Sequence, residues 1–355
     1  MTERKPGGTS AALEIRAGPA ALAHIQESGL APGHVQLIPG AAGGAKWLVL
    51  RALDNYLFRH WLAGRETPVD TVGSSIGSWR FAAAATDRTD QLLDLYLHQE
   101  YSASPDAVEI TGVARRILAE LLPRPRAVLD SPRLRLHILT ARCTGPLASE
   151  HRGVLGAGLL LTALANAIHP TLQQWAMRRH LFGPDGAAPG WARRPGWSTE
   201  HSRLSVENLV PALQASGSIP LVLEGVRDIA GAGNGVYRDG GVTDYHMPLS
   251  YAEAGGIVLF PHFSGTFKAG WFDKHLGWRR MAASGFDNVV LLFPSADFID
   301  GLPHGRIPDR HDFTRYEPSE RLRIWNQVVS ECDRLAEELD QWFNQGCPAD
   351  RVSPL

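Results

Sequence analysis

Hydrophobic residues along the chain fall into two patterns, short apolar runs and longer stretches with helical spacing. The short runs at 34–39, 69–72, 133–142, 255–260 and 288–293 predict strands. The runs at 255–260 and 288–293 are nearly continuous, as expected of strands buried on both faces of a parallel sheet. Helical spacing at 18–29, 47–57, 90–100, 105–122, 206–214 and 320–343 predicts helices. Strands that alternate with helices in this way predict an α/β fold.

One apolar run differs from these amphipathic stretches. Residues 154–168 carry no charge, and their only polar side chains are Thr162 and Asn166. A membrane-spanning helix needs about 20 apolar residues, so this run is too short to cross a bilayer. The run therefore predicts a buried helix, with a surface that docks on lipid as the alternative.

Residues 175–203 form a segment rich in basic residues and tryptophan. They hold five arginines and two histidines beside three tryptophans, with glycines and prolines between them. Basic residues interleaved with tryptophan suit the binding of lipid headgroups or single-stranded nucleic acid. The glycines and prolines favour a mobile lid, which is our prediction for this segment.

Composition narrows the class of protein. Of 355 residues, 44% are hydrophobic and 20% are charged, which is typical of a globular protein with a sizeable core. The formal net charge of -2 argues against nucleic acid as a partner. The three cysteines are scattered, so neither a disulfide framework nor a metal site is expected. No apolar segment follows the polar start, which predicts a cytoplasmic protein, with peripheral contact to a membrane as an alternative.

The segment 69–85 contains a candidate catalytic motif. A β-branched run passes through Gly-x-Ser-x-Gly, formed by Gly73, Ser75 and Gly77, into a stretch with good helix propensity. This order is typical of a nucleophile elbow, a sharp strand-to-helix turn that projects a serine hydroxyl. The same short motif also occurs in ordinary turns. Ser75 is therefore a candidate nucleophile that needs support from the rest of the chain.

A second glycine-rich turn, at 40–46, lies between a predicted strand and a predicted helix. It does not match the phosphate-binding P-loop, in which Ala45 and Trp47 stand at positions reserved for other residues. It does not match the dinucleotide fingerprint either, because Ala42 and Trp47 replace glycines of that motif. Gly43, Gly44 and Ala45 are small enough for their N–H groups to form an oxyanion hole. A tight turn without a ligand is the alternative.

A serine nucleophile needs a base, and two solutions are open. His304 or His311 would complete the triad of an α/β-hydrolase, but in that fold the elbow follows several strands, and here one predicted strand precedes it. The other solution is a carboxylate that takes the serine proton directly. Asp239 ends a predicted strand at a hairpin-like Asp-Gly-Gly turn and is our candidate, although aspartate is also common in plain Asx turns.

Together, the three motifs resemble the patatin-like phospholipase family. The resemblance rests on the glycine-rich turn at 40–46, Gly-x-Ser-x-Gly at 73–77 and Asp-Gly-Gly at 239–241, with similar flanking residues at 215–220 and 242–245. It covers about residues 34–262. It implies a three-layer α/β fold with a mostly parallel central sheet and helices on both faces.

The resemblance also implies a function. It implies a serine esterase or lipid acyl hydrolase that cleaves acyl esters or phospholipids through an acyl-enzyme, without a cofactor or metal. Ser75 would be the nucleophile and Asp239 the general base, with the oxyanion held by the backbone of three residues. The implied site residues are the catalytic Ser75 and Asp239, the oxyanion-hole residues Gly43, Gly44 and Ala45, the elbow glycines Gly73 and Gly77, and the motif glycines Gly240 and Gly241.

The sequence departs from the family at the oxyanion turn. The family has Gly-Gly-Gly-x-Arg-Gly, whereas this chain has Lys46 in place of the arginine and Trp47 in place of the last glycine. Trp47 is expected to crowd the mouth of the site or to change helix packing. Two alternatives follow: a non-catalytic or weakly active protein that binds lipid or a partner on the same scaffold, and an acyltransferase.

The motifs also divide the chain. We expect an N-terminal extension over 1–30, which begins with a disordered leader over 1–10. A catalytic core over 31–265 would follow, with the lid at 175–203. The remaining residues, 266–355, would form a C-terminal extension packed on the core.

Overall fold

The computed structural model of the protein describes residues 11–279, 281 and 285–355. The leader predicted over 1–10 lies outside these residues. The strands are β1 (Leu13–Ala17), β2 (Val35–Gly40), β3 (Val69–Ser74), β4 (Leu134–Cys143), β5 (Met177–Gly183), β6 (Thr199–Arg203), β7 (Val226–Arg227), β8 (Val236–Asp239), β9 (Ile257–Pro261), β10 (Val289–Pro294) and β11 (Val352–Pro354). They form one sheet in the order β11-β1-β10-β9-β2-β3-β4-β5-β6, and β8 pairs with β4 and β7.

Helices cover both faces of this sheet. They are α1 (Pro19–Ser28), α2 (Arg51–Tyr56), α3 (Ile76–Ala85), α4 (Thr89–Leu97), α5 (Ala107–Leu121), α6 (Arg126–Leu129), α7 (Arg152–Ile168), α8 (Val206–Ser216), α9 (Ala296–Gly301), α10 (Asp312–Arg315), α11 (Pro318–Glu331) and α12 (Asp333–Asn344). Most neighbouring strands pair in parallel, and the antiparallel pairs are β1 with β10, β4 with β5 and β8, and β7 with β8. The predicted α/β fold with a mostly parallel sheet is confirmed.

The continuous apolar runs form the centre of the sheet. Every residue of β9 and β10 is buried, because helices close both faces of a parallel sheet. The single helix predicted over 320–343 is wrong in one respect, since the chain forms α11 and α12 with Cys332 between them. The helix predicted over 47–57 begins as a 3-10 turn over Gly44–Leu50 and becomes α2.

The sheet crosses both predicted boundaries of the core. β1, from the predicted N-terminal extension, pairs antiparallel with β10, from the predicted C-terminal extension. β10 pairs in parallel with β9 of the predicted core. Strands on either side of residues 30 and 265 are therefore parts of the same sheet.

The lid predicted over 175–203 is wrong. The segment contains β5 and β6, which form one side of the sheet and pair with β4 and with each other. None of its residues lines the pocket described below. The glycines and prolines lie mainly in the connection between the two strands rather than in a cover over the site.

The apolar run predicted to be a buried helix is α7, and this prediction is half wrong. One face is buried through five residues, Leu155, Gly158, Leu159, Thr162 and Asn166. The opposite face exposes large side chains, among them Leu160 at 62%, Leu164 at 57% and Ile168 at 78%. Among the described residues, no helix has the length and apolar character needed to cross a membrane.

The topology places the carboxyl ends of four parallel strands at one edge. β2 lies between β3 and β9, and β9 pairs with β10. In open α/β sheets, ligands bind outside the carboxyl ends of the strands, at the point in the sheet where the strand order reverses. The glycine-rich turn follows β2 and Ser75 follows β3, so both lie at that edge.

Candidate active site

Ser75 occupies the turn between β3 and α3. Its backbone has φ 57° and ψ -131°, a conformation that is rare for a residue with a side chain. Such strain persists where the surrounding structure imposes it and is common at functional sites. Here the close packing of β2, β3 and α3 imposes it, because Gly73 and Gly77 leave no room for side chains.

Gly77→Ala is expected to destabilise the protein. A Cβ at Gly77 would collide with the carbonyl oxygen of Gly40 on β2, so strand and helix must separate. We expect the free energy of unfolding to fall by about 2–4 kcal/mol in urea denaturation. The control is Gly112→Ala in α5, where a Cβ meets open space and alanine should stabilise the helix by up to about 1 kcal/mol. Equal stability of the two variants would contradict the packing argument.

Asp239 reaches Ser75 because two strands lie end to end along β4. β3 runs parallel to β4 and ends at Ser74, which pairs with Leu139. β8 runs antiparallel to β4 on the same side and ends at Asp239, which pairs with Thr140. Since the two strands stop at consecutive residues of β4, the residue after Ser74 faces Asp239.

The two side chains form a direct hydrogen bond. Ser75 Oγ donates to Asp239 Oδ2 at 2.7 Å, and both residues are buried. The other carboxylate oxygen, Oδ1, accepts from the N–H of Gly241 at 2.6 Å. Asp239 therefore makes an Asx turn with one oxygen and holds Ser75 with the other. Neither His304 nor His311 hydrogen-bonds to Ser75 within the described residues.

Two serines at the carboxyl end of α8 fix the backbone of this pair. Ser75 N–H donates to Ser216 Oγ at 2.9 Å, and Ser216 Oγ donates to the carbonyl of Leu139 at 2.7 Å. Asp239 N–H donates to the carbonyl of Ser218 at 3.0 Å. The segment at 215–220, whose sequence resembles that of the family, thus links Ser75 to β4 through Ser216 and holds Asp239 through Ser218.

Buried arginines hold the chain just after Asp239. Arg179 on β5 donates to both carboxylate oxygens of Asp244 at 3.0 and 2.9 Å, with both side chains fully buried. Arg194 donates to the carbonyl of Thr243. The basic residues that suggested a lid or a headgroup site therefore include buried partners of the turn that begins at Asp239.

The glycine-rich turn presents unpaired donors. In the described part of the chain, the N–H groups of Gly43, Gly44 and Ala45 donate no backbone hydrogen bond. Gly43 and Gly44 line the pocket with Ser75, whereas Ala45 is fully buried. Gly44 has φ 56°, in the left-handed region that glycine tolerates. Gly43 and Gly44 are thus better placed than Ala45 to meet a negative charge near Ser75.

A further donor lies at the start of α3, the helix that follows the nucleophile elbow. The N–H of Ile76, at the first position of α3, also lacks a backbone acceptor among the described residues. In nucleophile elbows the residue after the nucleophile supplies an oxyanion-hole N–H, so the motif itself held the signal.

Trp47 does not crowd the site. Its side chain is 2% exposed and contacts Tyr96 edge to face, with ring centres 5.7 Å apart. It is absent from the pocket lining. The expected effect of this substitution on the mouth is wrong, because the 3-10 turn at Gly44–Leu50 directs the indole into the core.

Comparisons with known proteins add little to this geometry. No family model and no curated protein matches the sequence. A search of solved structures finds the crystal structure of VipD from Legionella pneumophila, at 11% identity, over 95% of this chain and 72% of that chain. The TM-score is 0.34.

The site residues occupy a pocket of about 560 Å³. Besides Ser75, Asp239 and the glycine turn, it is lined by residues beyond 262 that the sequence analysis did not assign, including Phe263, Lys274 and Arg310. These follow β9 and β10 and so reach the same edge of the sheet. The described residues contain no cluster of three metal-ligating side chains.

Burial changes the acidity of the candidate base. Loss of solvation raises the pKa of Asp239 from 3.8 to about 6. The hydrogen bonds from Ser75 and Gly241 and the charges of Lys274 and Arg310 act in the opposite direction and limit the rise. An aspartate with a pKa near 6 is a stronger base than one in water and remains ionised at neutral pH.

Proposed function

We propose that the protein is a serine ester hydrolase in which Ser75 and Asp239 form a catalytic dyad. The observation that carries this proposal is the 2.7 Å hydrogen bond from Ser75 Oγ to Asp239 Oδ2 at a strained elbow. The unpaired N–H groups of Gly43, Gly44 and Ile76 beside the pocket support it. A nucleophile, a base and charge-stabilising donors are the groups that acyl transfer needs.

The first half of the reaction forms an acyl-enzyme. Asp239 takes the proton of Ser75 while Oγ attacks the ester carbonyl carbon, and the resulting oxyanion accepts hydrogen bonds from the backbone donors. Loss of one such donor costs about 3 kcal/mol of transition-state stabilisation in comparable sites. The tetrahedral intermediate then collapses, and Asp239 returns the proton to the leaving alcohol.

The second half releases the acid. Water takes the place of the alcohol, Asp239 accepts its proton, and the hydroxide attacks the acyl carbon. The same backbone donors stabilise the second oxyanion. Collapse expels Ser75 Oγ, which recovers its proton from Asp239, so the dyad is regenerated without any group from outside the chain.

The substrate class follows from the family resemblance and the pocket. The three motifs are similar to those of patatin-like phospholipases, which favours a lipid acyl ester or phospholipid. Apolar side chains of the pocket, including Ile219, Val242 and Phe263, suit an acyl chain.

Turnover of esters tests this proposal. We expect hydrolysis of p-nitrophenyl acyl esters and release of fatty acid from phospholipid or acylglycerol vesicles. Vesicle binding without turnover of any ester would favour the non-catalytic alternative. An acyltransferase would show itself when an added alcohol diverts the acyl group from water to a new ester.

The pH dependence of turnover should report the dyad. Because Asp239 must be ionised to accept the serine proton, kcat/KM is expected to rise with pH through a midpoint near 6 and to level off above it. A p-nitrophenyl ester measured between pH 4.5 and 7.5 checks this. A midpoint near 4 would mean that Asp239 is not the titrating base or is not desolvated.

The exposed apolar face of α7 supports the proposal that the protein binds a lipid surface while it cleaves its substrate. α7 carries no acidic residue, and the segments that contact it carry Trp175 and Trp278, which are 49% and 74% exposed. Tryptophan and leucine on one face of a helix are typical of interfacial docking. Asn166 of α7 donates to Asp273 at 2.9 Å, which links this helix to the pocket-lining stretch Trp271–His275.

Leu161→Ser combined with Leu164→Ser is expected to lower binding to phosphatidylcholine vesicles at least about tenfold, because each leucine loses more than about 1 kcal/mol of apolar burial. Vesicle sedimentation measures this. The control is Val108→Ser on α5, an apolar side chain that is 62% exposed elsewhere. Equal binding by all three proteins would exclude α7 as the contact.

A further inference from the structure

The catalytic pocket has an excess of positive charge. Four cationic side chains line it, against two carboxylates, Asp239 and Asp309, although the whole chain carries a formal charge of -2. The cations are Lys46, Lys268, Lys274 and Arg310. A local charge of this sign inside a concave pocket attracts anions.

Three of the four cations lack a partner. Lys268 donates to the carbonyls of Leu276 at 3.2 Å and Arg279 at 3.4 Å. In the described part of the chain, the side chains of Lys46, Lys274 and Arg310 make no hydrogen bond and have no carboxylate within 4.0 Å. The Nζ of Lys274 lies 3.7 Å from the ring centre of Tyr245, and that of Lys46 lies 5.0 Å from the ring of Phe263.

The carboxylate of Asp309 is already engaged. Its Oδ1 accepts from the N–H of His311 at 2.7 Å, and its Oδ2 lies 3.7 Å from Arg306 Nη1. Asp239 is held by Ser75 and Gly241. Both carboxylates of the pocket are therefore held by other groups, and neither forms an ion pair with the three free cations in the described part of the chain.

The pKa values of two lysines in the pocket are lowered. Burial, followed by the charges of Lys46 and Arg310, lowers the pKa of Lys274 to about 7, and the charges of Asp239 and Asp309 offset this only in part. Burial also lowers the pKa of Lys46. Like charges gathered in a partly desolvated pocket repel one another, and a bound anion would reverse the repulsion.

A buried histidine forms part of the pocket wall. His246 lines the pocket and is 4% exposed, and its Nδ1 accepts from the N–H of Lys268 at 3.1 Å. The neutral ring therefore carries its proton on Nε2, which has no hydrogen-bond partner among the described residues. Because Nε2 is itself enclosed by protein, His246 forms part of the pocket wall and is not counted among the groups that would contact an anion.

We propose that Lys46, Lys274 and Arg310 form an anion-binding subsite, and that the esters cleaved at Ser75 carry a second, anionic group. A carboxylate or a phosphate has the required chemistry, since both accept charge-assisted hydrogen bonds from lysine and arginine. Lys274 and Arg310 lie outside the part of the chain that resembles a known family. This inference rests on the proposed function for its substrate, while the anion site itself can be tested by binding alone.

Matched esters test the substrate class. One pair is p-nitrophenyl hydrogen suberate and p-nitrophenyl methyl suberate, which differ by a carboxylate. The other pair is an acylglycerol phosphate and the acylglycerol with the same chain, which differ by a phosphate. We expect kcat/KM to favour the charged member of at least one pair by about tenfold or more, and the pair that shows it identifies the anion. Ratios near one in both pairs would overturn the proposal.

Charge-removing variants locate the effect. Lys274→Gln and Arg310→Gln should each lower the charged-to-neutral ratio severalfold, and the double variant should bring it near one. Arg323→Gln removes the same charge from an exposed position on α11 and should leave the ratio unchanged. A ratio that falls equally in Arg323→Gln would assign the preference to net charge and overturn the subsite.

Binding without catalysis separates the two proposals. In Ser75→Ala, titration calorimetry should show octyl phosphate or octanoate binding at least about tenfold more tightly than octanol, with the gain lost in Lys274→Gln/Arg310→Gln. Anion binding without turnover in the wild type would retain the subsite and reject the hydrolase. Turnover with neither charge preference nor anion binding would reject the subsite and retain the hydrolase.

Discussion

Ser75→Ala is expected to lower kcat/KM for p-nitrophenyl esters by at least about 10⁴-fold. The substitution removes the atom that forms the acyl-enzyme and leaves the backbone donors in place, so residual turnover would come from binding and oxyanion stabilisation alone. The serine hydroxyl makes one hydrogen bond, to Asp239, so the fold should survive the change. Initial rates together with the thermal midpoint of unfolding measure both expectations.

A matched control is Ser330→Ala, which removes an exposed hydroxyl from α11. Its activity and thermal midpoint should equal those of the wild type. If Ser75→Ala stayed folded and kept more than about a tenth of wild-type activity, the nucleophile would have to lie elsewhere.

Asp239→Asn is expected to lower kcat/KM by about 10³-fold or more at pH 7 and to abolish the rise of activity near pH 6. An asparagine can keep Oδ1 on the Gly241 N–H and turn its amide toward Ser75 Oγ, so the geometry is retained. The amide cannot accept a proton from the serine. Loss of basicity is therefore separated from loss of structure.

The same substitution should stabilise the protein above pH 6. The pKa of Asp239 is raised in the folded state from 3.8 to about 6, so its contribution to stability is present below pH 3.8 and disappears as pH rises through 6. The amide side chain of the variant does not titrate and has no such pH dependence. At pH 8 the variant should gain up to about 3 kcal/mol in the free energy of unfolding, at about 1.4 kcal/mol for each unit of pKa.

Urea denaturation at pH 4 and pH 8 checks this expectation. The control is Asp130→Asn, because Asp130 is exposed and its carboxylate forms a surface pair with Arg126. The stability difference between Asp239→Asn and wild type should grow between the two pH values, and that of the control should not. A variant that is inactive and equally destabilised at both pH values would mean that Asp239 is a structural turn residue.

Much of the sheet was readable from local patterns. The fully apolar runs that became β9 and β10 and the β-branched run before Ser75 carry their own signal, because burial on both faces excludes polar residues. β1 was not predicted. Its five residues alternate in burial, and its place in the sheet depends on pairing with β10, which is distant in the sequence. No local pattern reports such a pairing.

Two of the wrong predictions share a physical cause. Arg179 was assigned to a lid with the rest of its glycine- and proline-containing segment, but its charge is neutralised inside the fold by Asp244. α7 was assigned to the interior because its residues are apolar all round, but nothing in the described structure covers Leu160 or Ile168. Both errors concern what lies opposite a side chain, which composition does not contain.

Some residues of the candidate site could be identified from sequence motifs, and others could not. The motifs identified Ser75, Asp239 and the glycine turn, since each needs special residues for its backbone. They did not identify Lys274, Arg310 or His246, which reach the pocket from segments without a motif. Those residues depend on the tertiary fold alone.

Reaction with an alkyl fluorophosphonate tests the central claim most directly. This reagent phosphonylates a serine only when its hydroxyl is activated and an oxyanion site is present. Intact mass and peptide mapping should show a single adduct on Ser75 in the wild type, no adduct in Ser75→Ala, and a strongly reduced rate in Asp239→Asn. A folded wild-type protein that remains unlabelled, or is labelled at a different serine, would contradict the Ser75–Asp239 dyad.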